Sequence, residues 1–564
     1  MVPPSSKQRL HMAFETPLRP TARGNRPVCK STRSEGDRPA AMHRVAIIGA
    51  GPTGVYTLAA LLKETPSRLH LDIFEKGPAA GPGMPYSAEM NTPSMLSNIA
   101  SRELPPVVVS LNDWLLGLDR SDLARLGLRD AEIGEDAFYP RLALGAYFTA
   151  QMAELIARGR RAGHRIELHL RHTVEDIRPR LQGIEVIWRS PAGTSKADYA
   201  DVVLATGHRW PDSVSEGGAR LQSAWPAEKL ARLPQRRIGV LGSSLSAIDV
   251  AVTVASARGR FLEVGGDLVY QPDEGQDDFL ISLMSRKGLL PEADYWYQLP
   301  LPELPRLAAC AAGEGPLLDR AYRAFLADLE EADGDWLTRL GGSVIGRDVF
   351  RTAYFAERLA ADPFDWAREN LALAEETLAE QRPTPWRSAL LRAHELFEEL
   401  IPQLSESEVE AFHATLKPVF TDCYACVPHF SVRRLLALRE AGVLEVLRLG
   451  EDSRMSERRT GYRVTGDDVE TEVEIIIDAR GQPAMKFSDL GFPSLARDDI
   501  LARPLRFEDF VLPLGAATSG RIHCLALPVL LRRHPFVQGL VNAWEMGCTT
   551  AKVIAEAMDG CAAA

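Results

Sequence analysis

Much that a chain of 564 residues could carry is missing from this one. It has no apolar run of membrane-spanning length, so neither a transmembrane helix nor a membrane partner is expected. Its seven cysteines are an odd number, scattered, and follow no signal peptide; free thiols in a reducing cytoplasm fit better than a disulfide framework. No continuous basic stretch offsets the formal net charge of −11, which excludes a general nucleic-acid binder. Zinc ligands are short too. Cys423-x-x-Cys426 stands alone, without two further ligands at suitable spacing, so no metal is expected. No side-chain acid–base pair stands out, so any chemistry is left to a cofactor.

What is present starts at His43-Arg-Val-Ala-Ile-Ile-Gly49-Ala-Gly51-Pro52-Thr53-Gly54. A short apolar run, residues 45–48, reads as a strand and ends in Gly-x-Gly-x-x-Gly. Residues 55–62 then read as a helix, and a second apolar run, 69–74, ends at Glu75 followed by Lys76. This is a dinucleotide-binding pattern in its proper context. Gly49 allows the tight turn, Gly51 lets the backbone approach a pyrophosphate, and Gly54 lets helix and strand pack closely. The helix start offers N–H groups to the phosphates, and Glu75 is placed to accept from a ribose hydroxyl.

A second such unit begins at Arg237, with Gly242-Ser243-Ser244-Leu-Ser-Ala247 after an apolar run. Ser244 stands where a second glycine is usual, and its side chain either crowds a pyrophosphate or bonds to it. Beyond the next apolar run come Arg286 and Lys287, cations that suit a ribose 2′-phosphate and favour NADPH over NADH. The fold class expected is therefore α/β, with two Rossmann-like FAD/NAD(P)-binding domains and an α-helical insertion. Residues 1–41, rich in Pro, Ser and Arg without periodicity, read as a disordered tail with Met42 a natural beginning. Residues 42–210 and 481–564 are assigned to the first domain, 225–291 and 418–480 to the second, and 292–417 to the insertion, which carries acidic stretches such as Glu398-Glu399.

Together with Ala205-Thr206-Gly207, Ser285-Arg-Lys-Gly-Leu-Leu-Pro291 and Pro535-Phe-Val-Gln538-Gly539, these motifs make the chain resemble the two-dinucleotide-binding flavoproteins. Within them it looks most like bacterial flavin-dependent amine N-monooxygenases. That resemblance implies FAD on the first unit and NADPH on the second, with Val174 near the adenine. Thr206-Gly207 would pass beside the flavin, and Gln538-Gly539 would open a helix facing its pyrimidine. Tyr86 and Asn98 become candidates for the flavin edge, and Arg141 for a phosphate or a substrate carboxylate, as do Arg433, Arg434, Arg532 and Arg533 for the latter. The reaction implied is oxygen transfer from a flavin C4a-hydroperoxide to the amine of a small molecule such as an amino acid, with molecular oxygen as co-substrate. One departure stands against two monooxygenase types: Ser215-x-Gly217-x-x-x-Leu221-x-x-x-Trp225 has the spacing of their Phe-x-Gly-x-x-x-His motif but lacks its Phe and His. A flavin reductase using Cys423 and Cys426, and a non-catalytic flavin-binding interaction protein, remain as alternatives.

Overall fold

The structure, a computed structural model, describes residues 42–563 apart from 66, 130, 131, 211, 212, 217, 277, 468, 498–508, 516 and 517. The tail expected at residues 1–41, and Gly217, lie outside the described residues.

The strand His43–Ile48 is fully apolar from Val45 onward because both faces of its sheet are covered. It pairs in parallel with Leu69–Glu75 on one side and Asp201–Leu204 on the other. Arg165–Leu170 and Arg521–Cys524 complete a five-stranded parallel sheet, the last strand coming from far along the chain. Val45, Ile47, Leu71 and Ile73 are fully buried in it. Each such side chain contributes roughly 1.5–3 kcal/mol. The helix Pro52–Glu64 covers one face and packs against the C-terminal helix Leu540–Ala563. The approach is close: a Cβ on Gly547 would stand 2.9 Å from the Thr57 nitrogen. An antiparallel meander, Thr173–Arg180, Gly183–Ser190 and Gly193–Tyr199, connects the strand Arg165–Leu170 to the strand Asp201–Leu204.

The second sheet repeats the arrangement around Arg237–Leu241, flanked in parallel by Leu280–Ser285 and Ile475–Asp478. Leu444–Arg448 lies at one edge; Ala219–Ser223 and Ser213–Glu216 form the other, the final pair antiparallel. The fold is thus α/β with two Rossmann-type units.

Inserted in the second unit, between its strands Leu280–Ser285 and Leu444–Arg448, lies a helical region including Leu317–Leu340, Arg347–Ala360, Pro363–Ala379, Pro385–Leu400, Glu406–Thr415 and Lys417–Tyr424. Its core is aromatic: Phe325, Phe350, Phe397, Phe412 and Phe420 are buried, and Trp336 stacks on Trp386 with centroids 4.4 Å apart. A Ser405–Glu408 capping box starts one helix by satisfying its first N–H groups.

Candidate functional site

The first glycine turn is built by steric exclusion. Gly49 has φ of +103°, and a Cβ there would lie 2.2 Å from the Ala205 carbonyl oxygen. A Cβ on Gly54 would lie 2.2 Å from the Gly49 oxygen, so the helix can reach the strand only without one. Between Gly51 and Gly83 a Cβ would close a cradle, coming 3.1 Å from the Gly83 Cα. No side chain caps the helix Pro52–Glu64, which leaves its first N–H groups for an anion. The Glu75 carboxylate is fixed at the edge of this turn, accepting from the Ala50 nitrogen at 3.0 Å and from the Gly77 nitrogen at 2.7 Å. Lone pairs remain on both oxygens for hydroxyl donors. These features fit a dinucleotide.

A single cavity of about 2460 Å³ opens from this turn. That is more than twice the roughly 300–1,000 Å³ of a pocket for one drug-sized ligand. It is lined by Gly49, Gly51, Pro52, Thr53, Glu75 and Lys76 near the first turn, then by Val174, Thr206 and Gly207. Tyr86, Asn98, Arg141, Gln538 and Gly539 line it too, and so does Ser244 from the second unit. Burial pushes the Tyr86 hydroxyl up to about 12, against the nearby Arg141 charge, so it stays a proton donor.

The remaining candidates, and Arg141 and Arg532 although both line the cavity, are committed to other contacts, for visible reasons. Gly54 and Gly242 serve packing: a Cβ on Gly242, at φ +116°, would stand 3.0 Å from the Ala479 oxygen. Ala247 is fully buried in the second unit's helix Leu245–Ser256. The Ser243 hydroxyl donates to the Leu289 oxygen at 2.5 Å, so it is committed to the loop after Ser285. Arg286 is exposed and lies 3.4 Å from Glu451. Lys287 turns toward the helical region, its Nζ 3.2 Å from the Phe355 ring centroid, and burial lowers it to about 8. Arg141 is not free for a ligand: its Nη2 is 2.5 Å from the Asp249 carboxylate on the helix Leu245–Ser256. Burial lifts Asp249 to about 6, with Arg141 and Arg434 opposing. This pair joins the two units. Arg433 pairs with Glu375, Arg434 donates to the Ser94 oxygen, and Arg532 and Arg533 both pair with Glu406.

The cavity continues into a lobe that the sequence pattern did not single out as a site. Glu395, Glu398 and Glu399 reach it from the helix Pro385–Leu400, and Glu545 from the helix Leu540–Ala563. Asn542 donates to Glu398 at 3.3 Å. Burial, and then the neighbouring Glu545, raise Glu398 to about 8. His394 stacked on Tyr424, with Phe536 edge-on to both, walls the same lobe. His413 and Lys417 line it as well. Cys423 and Cys426 do not line the cavity. They are buried in the helical core, where Cys423 meets the Tyr295 hydroxyl at 3.2 Å and Cys426 donates to the Cys423 oxygen. Burial raises Cys423 to about 12, which leaves it a poor nucleophile.

Two glycine-turn units facing one cavity define the class of two-dinucleotide-binding, FAD/NAD(P)-binding proteins. Residues 46–209 match a family model described as FAD-NAD(P)-binding, and residues 305–424 match one described as the YdhS-like middle domain. The chain is 37% identical over 527 residues to the uncharacterized protein YdhS of Escherichia coli (strain K12), covering 91% of this chain and 97% of that one. It belongs to the YdhS family. Among solved structures it is similar in fold to the reduced form of ornithine hydroxylase PvdA from Pseudomonas aeruginosa, with TM-score 0.51 and 12% identity over 92% of this chain and 100% of the other. L-lysine 6-monooxygenase from Pseudomonas syringae aligns with TM-score 0.47 and 15% identity, covering 92% of this chain and 99% of that one. No helix among the described residues is long and apolar enough to cross a membrane.

Proposed function

We propose that this protein is an FAD-dependent, NADPH-using monooxygenase acting on the amine of a small molecule, with molecular oxygen as co-substrate. One observation carries the assignment: the same cavity runs from the first glycine turn, past Ser244 of the second, into a lobe rich in carboxylates. It has walls for two dinucleotides and for a cationic third ligand. The fold similarity to an ornithine hydroxylase supports the same chemistry.

In this proposal residues 42–210 and 481–564 hold FAD, and residues 225–291 and 418–480 hold NADPH. The cradle at Gly49, Gly51 and Gly83 and the open start of the helix Pro52–Glu64 take the FAD pyrophosphate, while Glu75 orients a ribose. The start of the helix Leu540–Ala563, at Gln538-Gly539, faces the flavin ring. The uncapped start of the helix Leu245–Ser256 takes the NADPH pyrophosphate, with Ser244 beside it. FAD, when bound, supplies the redox chemistry by which dioxygen yields one oxygen atom to an amine. The chain's own part is to bind and orient. The helical region closes the far wall and excludes water, Glu398 and Glu545 draw in a cationic amine, and ionised Glu398 accepts its proton so that the nitrogen lone pair is free. A disulfide reductase is disfavoured by where Cys423 and Cys426 lie. Cys548 does line the cavity, but burial raises it to about 11.

The test is NADPH oxidation in air by the flavin-loaded protein against a panel of diamines, basic amino acids and disulfides. Amine-dependent acceleration with a hydroxylamine product supports the proposal. Acceleration by a disulfide alone would replace it with a reductase.

A further inference from the structure

Between the two glycine turns the cavity wall changes character. His208 follows directly on the Thr206-Gly207 turn of the first unit, and Trp225 follows the strand Ala219–Ser223 of the second; Trp210 lies between them. All three line the cavity. The Trp210 and Trp225 rings are 4.9 Å apart at 40°, and His208 lies 6.4 Å from Trp210 at 30°, so the rings form a shallow aromatic run. The wall is held from both sides: the Ala227 nitrogen donates to the Met90 oxygen at 3.0 Å, and Trp225 donates its backbone N–H to the Ser223 hydroxyl at 3.2 Å.

Two polar atoms in this wall lack partners among the described residues. Trp225 is only 8% exposed, yet its Nε1–H meets no acceptor. The His208 Nδ1 is also buried and unmatched. A buried polar atom left unsatisfied is destabilising, so an unmatched atom in a cavity wall points to a ligand that satisfies it. Burial, with Arg141 adding to it, lowers His208 to about 4, so its ring is neutral at working pH and one nitrogen is an acceptor. Both atoms belong to side chains that line the cavity, as Ser244 and Thr206-Gly207 do, so the wall combines an unmatched donor, an unmatched acceptor and flat apolar surface.

Resting on the proposal that NADPH occupies the second unit, we infer that Trp225, Trp210 and His208 form the seat of its nicotinamide. The Trp225 indole N–H donates to the carboxamide oxygen, the neutral His208 Nδ1 accepts from the carboxamide nitrogen, and Trp210 lies against the ring. A planar amide has both groups that the wall leaves unmatched. A cationic diamine offers no acceptor for Trp225, a basic amino acid offers one only through its carboxylate and no amide N–H for His208, and the adenosine half of the nucleotide lies beyond Ser244.

The experiment is calorimetric titration of the flavin-loaded protein with two probes, NADP⁺ and 2′-phospho-ADP-ribose, which lacks the nicotinamide. Trp225→Phe is expected to weaken NADP⁺ about three- to tenfold, the loss of one hydrogen bond, and to leave 2′-phospho-ADP-ribose unchanged. His208→Leu is expected to shift the same ratio, and it decides the matter if Trp225→Phe does not retain flavin. Unchanged NADP⁺ affinity in both variants, or equal weakening of the two probes, overturns the seat alone. Failure of the wild-type protein to bind either probe overturns NADPH use and the seat with it.

Discussion

Glu398 is the side chain whose chemistry is most exposed to test. Below about pH 8 it is neutral, because burial and the nearby Glu545 disfavour a second charge in the lobe. Above that it is an anion facing the cavity. KM for a cationic amine is therefore expected to fall as pH rises through about 8, and Glu398→Gln is expected to abolish that fall; a profile unchanged by the substitution would remove Glu398 from substrate binding. The same shift sets a sign for stability. A carboxyl raised in the folded state binds its proton more tightly there than in the unfolded chain, so stability declines as pH climbs from the ordinary glutamate range near 4.3 toward 8. Urea unfolding of Glu398→Gln across that window should show a flatter dependence. Glu398 and Glu399 are visible in the sequence only as an acidic stretch on a helix, the usual mark of a solvated face. Glu545, far along the chain, gives no local sign that it shares their lobe. Arg141 is similar: its partner Asp249 belongs to the other unit's helix, and no local pattern announces that pairing.

At the scale of elements the glycine turns were legible, because glycine is required there by backbone clearances of 2.2 Å that no side chain survives. Gly54→Ala puts a Cβ against the Gly49 oxygen and is expected to destabilise by about 1–3 kcal/mol, with loss of bound flavin on gel filtration. Full flavin retention would show that the helix can slide without harm to the cradle. The parallel strands were legible too, since burial on both faces leaves continuous apolar runs such as those in His43–Ile48 and Leu280–Ser285. The antiparallel hairpin Gly259–Val264 with Asp267–Pro272 was not. Its strands are short and largely exposed, so they carry little apolar signal. The stretch around Ser215 and Leu221, compared above with a monooxygenase motif, turned out to supply two edge strands of the second sheet.

The whole molecule is closed by a strand that returns to the first sheet from the far end of the chain. Asp201 fixes that return. Fully buried, it takes His43 Nε2 at 2.7 Å, His523 Nε2 at 2.9 Å and two Arg521 nitrogens at 2.7 and 2.8 Å. Those donors hold its carboxyl far below the usual range against the cost of burial. Its stabilisation is therefore complete above the ordinary aspartate range near pH 4 and is lost as pH falls below it. Asp201→Ala leaves His43, Arg521 and His523, from two strands, without their shared carboxylate and is expected to cost about 3–5 kcal/mol in denaturant unfolding. A loss under about 1 kcal/mol would mean that the return strand is held by its apolar contacts alone.

In the proposed reaction one cavity couples NADPH to oxygen transfer onto an amine. The most direct measurement supplies the flavin-loaded protein with NADPH, an amine that accelerates NADPH oxidation, and isotopically labelled dioxygen, and follows the product by mass spectrometry. The expected product is an N-hydroxylated amine carrying one labelled oxygen, formed in proportion to NADPH consumed. Hydrogen peroxide accounting for all the NADPH, with the amine unlabelled, would contradict it.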